Sequence, residues 1–155
     1  MDIDLTYDKW GRLRAIGDIP IAYDQMGSRP CALGPFRLRY DRMGSRLRAV
    51  GDMGIDYDHW GSRPRALGEW DLEYGRFGTT VKRVGPHDVG HDWHGSRVRT
   101  LGPFAVSYSK WGSRPTQVQL SEEYASLPDE LLFVLFLVLY WQEQQSKASR
   151  ERLME

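Results

Sequence analysis

"FRLRYDRMGSRLRAVG", residues 36–51, decides the fold of this chain. In its first half Phe36, Leu38 and Tyr40 are apolar, and Arg37 and Arg39 between them are charged. A period of two predicts a strand with one buried face. "DRMGS" follows as a turn, with Gly44 where a positive φ is expected. "RLRAV" is a second short strand, so the unit reads as a β-hairpin. Pairing across the turn sets Asp41 opposite Arg46 and Tyr40 opposite Leu47. Strict alternation then puts Val50 on the charged face, whereas the tight link at Gly51 requires it beside Met53 on the apolar one. A β-bulge near Ala49, repeated in each copy, reconciles the two and curves the sheet.

The same unit recurs along most of the chain. The anchor tyrosines are Tyr7, Tyr23, Tyr40, Tyr57, Tyr74 and Tyr108, with His91 in the sixth copy, and after the first step the spacing is 17 residues. Seven copies run from about residue 2 to residue 119, giving an antiparallel meander of about fourteen short strands. Residues 1–120 are thus expected to form the hairpin meander, residues 121–142 a hydrophobic C-terminal helix, and residues 143–155 a polar tail.

Bulk properties narrow the function classes. With 155 residues there is enough chain for one domain with a real core. The formal net charge is zero, so general attraction to nucleic acid or anionic lipid is not expected. One cysteine, Cys31, excludes an internal disulfide framework. The start "MDIDLTYDKWGRLR" lacks a basic-then-apolar signal region, which leads to the expectation of a cytoplasmic protein.

"YDKWGRLRAI" in the first copy resembles the YD repeat, also called the RHS repeat: Tyr-Asp, two residues, Gly-Arg-Leu, two residues and an aliphatic residue. Other copies keep Tyr, Asp, Gly and Arg but insert Ser28, Ser45, Ser62, Ser96 or Ser113 after the Gly. In the RHS and teneurin families such repeats build the wall of a large hollow shell around a toxin or plug. This chain is too short for that shell, so the resemblance implies the hairpin unit rather than the whole assembly.

A long meander with one apolar face must cover that face and hide its edges, and closure into a barrel does both. Fourteen strands ~4.8 Å apart and tilted ~40° give a radius of roughly 14 Å, leaving a lumen wide enough for one helix of ~10 Å diameter. The tail supplies it. "SLPDELLFVLFLVLYW" starts with Ser126 at an expected N-cap and Pro128 in the first turn, and it is apolar on every face from Leu131 to Trp141. That apolar run spans roughly 16 Å, about half a bilayer core, so it suits burial in protein better than in lipid. The expected fold is therefore mainly β, a closed barrel-like sheet around a buried C-terminal helix. Its plan resembles the tubby-like and scramblase-type barrels by architecture alone. An open sheet or sandwich with the helix on one face is the alternative.

Three groups of residues are candidate sites. The turn tips Trp10, Met26, Met43, Trp60, Phe77, His94 and Trp111 fall at one equivalent position. A ring of large apolar side chains edged by Lys9, Arg42, Arg76 and Lys110 has the makings of a binding rim for a partner or a membrane interface; the alternative is inward capping of the core. Arg14, Arg48, Arg65, Lys82 and Arg99 form a basic column open to a weak anionic ligand. The columns flanking the turns, Asp8, Asp24, Asp41, Asp58 and Asp92 with Arg12, Arg29, Arg46, Arg63, Arg97 and Arg114, read as cross-strand pairs, with a polyanion track as the alternative. His91 and His94 flank one turn and could share a metal, but their spacing fits no standard zinc motif. His87 and His91 lie ~13 Å apart along one strand and cannot share one through it.

These features lead to the expectation of a non-catalytic structural scaffold or binding module acting through protein–protein contacts, without a cofactor and without a nucleic-acid partner. Self-association is expected if imperfect closure leaves strand edges to pair. The alternatives are a membrane-associated protein using the aromatic rim or the C-terminal helix, and a metal-dependent enzyme at His91 and His94.

Overall fold

The computed structural model describes residues 1–25, 29–42, 46–58, 63–75, 80–92, 97–110 and 114–153, with the side chains of 149–152 excepted. Its fourteen strands are β1 Asp2–Tyr7, β2 Leu13–Ile16, β3 Ile19–Tyr23, β4 Pro30–Leu33, β5 Phe36–Tyr40, β6 Leu47–Val50, β7 Met53–Tyr57, β8 Pro64–Leu67, β9 Trp70–Tyr74, β10 Val81–Val84, β11 His87–His91, β12 Val98–Leu101, β13 Phe104–Tyr108 and β14 Pro115–Leu120. Each strand pairs antiparallel with its sequence neighbours, and β14 returns to β1, so the meander is a closed barrel. The closing ladder matches Asp2 with Gln119, Ile3 with Val118 and Asp4 with Gln117. Among the described residues every strand has a neighbour on both sides, so closure leaves none of these strand edges unpaired.

The register conflict at Val50 is resolved by a bulge. Across β5 and β6, Leu38 faces Val50 and Arg39 faces Ala49, but Tyr40 faces Leu47, so Arg48 is the unpaired extra residue. The same slip occurs in the other hairpins, at Arg14, Cys31, Arg65, Lys82, Arg99 and Thr116. The extra residue returns Val50 to the interior, where it is fully buried. Between hairpins the link is a two-residue turn that opens on glycine. Gly51 has φ of 58°, which a β-carbon disfavours, and a side chain there would press on Phe36 and Phe133.

Helix α1, Asp129–Leu153, fills the lumen. Every side chain from Leu131 to Leu139 is buried, and all of them join the inward-facing strand residues in one core. The Phe133 ring meets Phe36 edge-on at 4.7 Å near the Gly-turn end. At the other end the Gln142 Oε1 accepts from the Val98 N–H at 2.7 Å, and its Nε2 donates to the Tyr108 hydroxyl at 3.0 Å. A helix apolar all round is stable only when surrounded, and the ring of strands provides that. The helix differs from expectation at its start. Leu132 N–H bonds to the Pro128 carbonyl and regular helix begins at Asp129, so the cap falls later than Ser126. Beyond residue 142 the polar tail continues the same helix as far as Leu153.

Candidate binding site at the barrel mouth

The turn end of the barrel is the mouth from which α1 emerges. It is built from a clasp that repeats between copies. Arg46 Nε bonds to Asp41 Oδ2 at 2.8 Å. The guanidinium held in this way lies over the Tyr57 ring of the next copy, 4.8 Å from its centroid. Tyr57 in turn donates its hydroxyl to the Leu47 carbonyl at 2.7 Å. Equivalent hydroxyl bonds run from Tyr23 to Leu13, Tyr40 to Pro30, Tyr74 to Pro64 and Tyr108 to Val98. At the closing seam Tyr7 donates to the Pro115 carbonyl at 2.6 Å, with Arg114 over its ring at 4.5 Å. The seam between the last copy and the first therefore keeps the phenol bond and the stacked guanidinium of the others. Burial pushes these phenols up: Tyr23, Tyr57 and Tyr74 to about 12, and Tyr7 and Tyr40 further. They stay protonated, as donors must.

One seam departs from this pattern in all three parts. Between the fifth and sixth copies Gly75, Thr80 and His91 stand where most other seams have Asp, Arg and Tyr. The His91 Nδ1 is buried without a hydrogen-bond partner. Burial lowers the His91 pKa, Lys82 lowers it further, and Asp92 partly opposes them. At the opposite rim, His87 packs edge-on against Trp70 at 5.1 Å, and burial lowers its pKa as well, opposed by Glu130.

At the closing seam a cavity of about 350 Å³ opens between the emerging helix and the first, second and last copies. Leu13, Phe136 and Leu139 give it an apolar floor, and Arg12, Arg114 and Lys147 stand around it. Asp8 neutralises Arg12 through a 2.8 Å bond to Nε. The corresponding position in the last copy is Ser109, and among the described residues no carboxylate forms an ion pair with Arg114. The first copy also lacks the inserted serine. Its Gly11, with φ of 83°, lies so close to Arg114 that a β-carbon would stand 2.7 Å from Nη2.

Compared with known protein families, curated proteins and solved structures, the chain matches none of them.

The residues singled out from sequence are spread over different surfaces. Trp10 stands 70 % exposed at the mouth, with Lys9 Nζ 4.6 Å and the Arg12 guanidinium 5.1 Å from its ring. This tip points outward instead of capping the core. Met26, Met43, Trp60, Phe77, His94 and Trp111 lie outside the described residues. Arg14, Arg48, Arg65, Lys82 and Arg99 are the bulge residues, exposed on the outer wall and separate from the cavity. Among the described residues no three His, Cys, Asp or Glu side chains converge in a metal-holding group; His91 is described and His94 is not. From sequence Arg114 falls in the arginine column flanking the turns, read there as a member of cross-strand pairs; its place beside the cavity comes from the structure. The available signal was Ser109, the serine where the turn's aspartate is expected.

Proposed function

We infer that the chain is a YD-repeat-like, non-catalytic scaffold or binding module that works through protein–protein contacts at the mouth of its barrel. One observation carries this reading: an exposed Trp10 and the projecting part of α1 stand together at the barrel mouth. The eleven residues of α1 after Gln142 extend ~16 Å at 1.5 Å per residue. Residues 143–145, 147 and 148 among them are exposed. Tryptophan is a favoured interface anchor because it buries a large surface at little cost in side-chain entropy. The clasped, helix-filled barrel holds it in place.

A photo-crosslinking amino acid at position 10, with one at Arg37 on the outer wall as control, tests the reading in cells. A discrete adduct from position 10 that is absent from position 37 supports a protein contact, whether with another chain or a second copy. Equal labelling from both positions, or none, overturns it.

A second reading uses the same tryptophan. Trp10 flanked by two cations suits a membrane interface, where the ring sits at headgroup depth and the cations meet lipid phosphates. Among the described residues no helix is long and apolar enough to cross a membrane. Flotation with anionic vesicles at low salt and neutral pH distinguishes the readings, since a chain that stays in the soluble fraction has no lipid-docking rim.

A further inference from the structure

We propose that the cavity at the closing seam binds a small amphipathic carboxylate, with its carboxylate on Arg114 and its apolar body on Leu13, Phe136 and Leu139. The size is right: about 350 Å³ lies within the ~300–1,000 Å³ range of small-molecule sites. The charge is also right. Arg12, Arg114 and Lys147 face Glu143 around the cavity, and Asp8 already holds Arg12. This leaves a cationic surplus beside an apolar floor, and that surplus is centred on the rim arginine whose column carboxylate became Ser109.

The tyrosines sharpen the choice of ligand. Tyr7 and Tyr23 line the cavity, but both donate their hydroxyl protons to backbone carbonyls. Their oxygens can only accept, so charged donation to an anion comes from the cations around the cavity, Arg114 and Lys147 beside the Asp8-held Arg12. A guanidinium offers a planar fork that matches a carboxylate with two parallel bonds. Gly11 makes room for that fork, because any side chain there would stand against Nη2. A neutral amphiphile would fill the floor and leave Arg114 unmatched. An ammonium amphiphile would meet like charge.

Titration calorimetry on the full chain with octanoate, octan-1-ol and octylammonium tests the proposal. Octanoate is expected to bind saturably at one site, at least tenfold more tightly than either analogue. Arg114→Gln should weaken octanoate at least tenfold, Arg114→Lys should fall between, and Arg37→Gln on the outer wall should change nothing. Near-UV circular dichroism reports whether the Arg114 variants keep the clasp with Tyr7. The comparison of the three probes on the unmodified chain holds whether or not they do. Octan-1-ol binding as tightly as octanoate, or no saturable octanoate binding, overturns the proposal.

A lipid headgroup could offer related anionic chemistry, so vesicles of phosphatidylcholine with phosphatidylglycerol form a separate arm. Flotation that depends on Arg114, in a chain that does not bind octanoate, would assign the site to a membrane and overturn the proposal. Crosslinking at position 10 and octanoate binding are independent readouts, so either reading can fail without the other.

Discussion

The Tyr57 hydroxyl reaches the Leu47 carbonyl at 2.7 Å, bridging two hairpins just where their ladder has ended. Strands β6 and β7 pair only at Ala49 with Gly54 and Val50 with Met53 before they splay toward the mouth. The phenol spans that gap and satisfies a carbonyl the ladder has left behind. The guanidinium of Arg46 covers the ring, and Asp41 holds the guanidinium. Each copy except the fifth is thus fastened to the next by side chains at the end where the backbone bonds run out.

Tyr57→Phe removes one such bond and leaves the Leu47 carbonyl without its donor. The expected loss is about 1 kcal/mol. At this chain length that corresponds to a fall in Tm of roughly 2–4 °C. Thermal unfolding followed by circular dichroism checks it; an unchanged Tm would mean that the splayed seam gains nothing from its tyrosine.

Restoring the variant seam should stabilise the protein. Gly75→Asp, Thr80→Arg and His91→Tyr together rebuild the clasp that the other seams carry. The stabilisation should be about 1 kcal/mol or more and should exceed the sum of the single substitutions, because the three side chains act through one another. Gly75→Asp alone should change stability little, since its β-carbon presses only on the movable end of the Lys82 side chain and the new carboxylate would lack its arginine. Urea unfolding of the single variants and the triple variant measures the coupling.

Acid should loosen the barrel before its carboxylates titrate. The folded chain holds the His91 and His87 pKa values below the usual 6.5, mainly by burial. The unfolded chain therefore takes up protons more readily, so the stability these groups supply is complete above about pH 6.5 and is lost as pH falls toward their folded values. The urea midpoint should drop between pH 7 and pH 5. His91→Tyr and His87→Phe should each remove part of that drop, and a slope unchanged in both variants would contradict this assignment.

Alkali should act through the clasps. Burial raises Tyr23, Tyr57 and Tyr74 to about 12, above the usual 10. Stability from a raised phenol is complete below pH 10 and disappears as pH climbs through the folded value. Phenolate absorbance should therefore appear together with loss of the β-sheet signal in one cooperative step between about pH 10 and 12. Tyrosines titrating separately while the sheet survives would show that the seam bonds do not carry the barrel.

The lumen helix should be the slowest-exchanging segment. Amides of 132–139 are enclosed by the barrel and should exchange only on global unfolding, whereas those of 143–148 should exchange faster. Leu135→Ala, at a fully buried position, should cost about 2–5 kcal/mol. Hydrogen exchange read by mass spectrometry, with urea unfolding, tests both.

The sequence alone carried what a single copy can express. Alternation of Phe36, Leu38 and Tyr40 marks the strand, and the mismatched parity of Val50 requires the bulge. The all-round apolar stretch from Leu131 signals a surrounded helix. Each of these depends on neighbours a few residues away, so the chain spells it out locally. Closure was expected from the need to hide the sheet's edges, with an open sheet as the alternative, and the tertiary structure decided between them; the hydroxyl bonds between copies and the cavity beside Arg114 came from the tertiary structure alone. Whether β14 meets β1 depends on twist and tilt summed over fourteen strands, and no one repeat contains that sum. The carbonyl that Tyr7 reaches belongs to Pro115, more than a hundred residues away, and only the closed ring brings the two together.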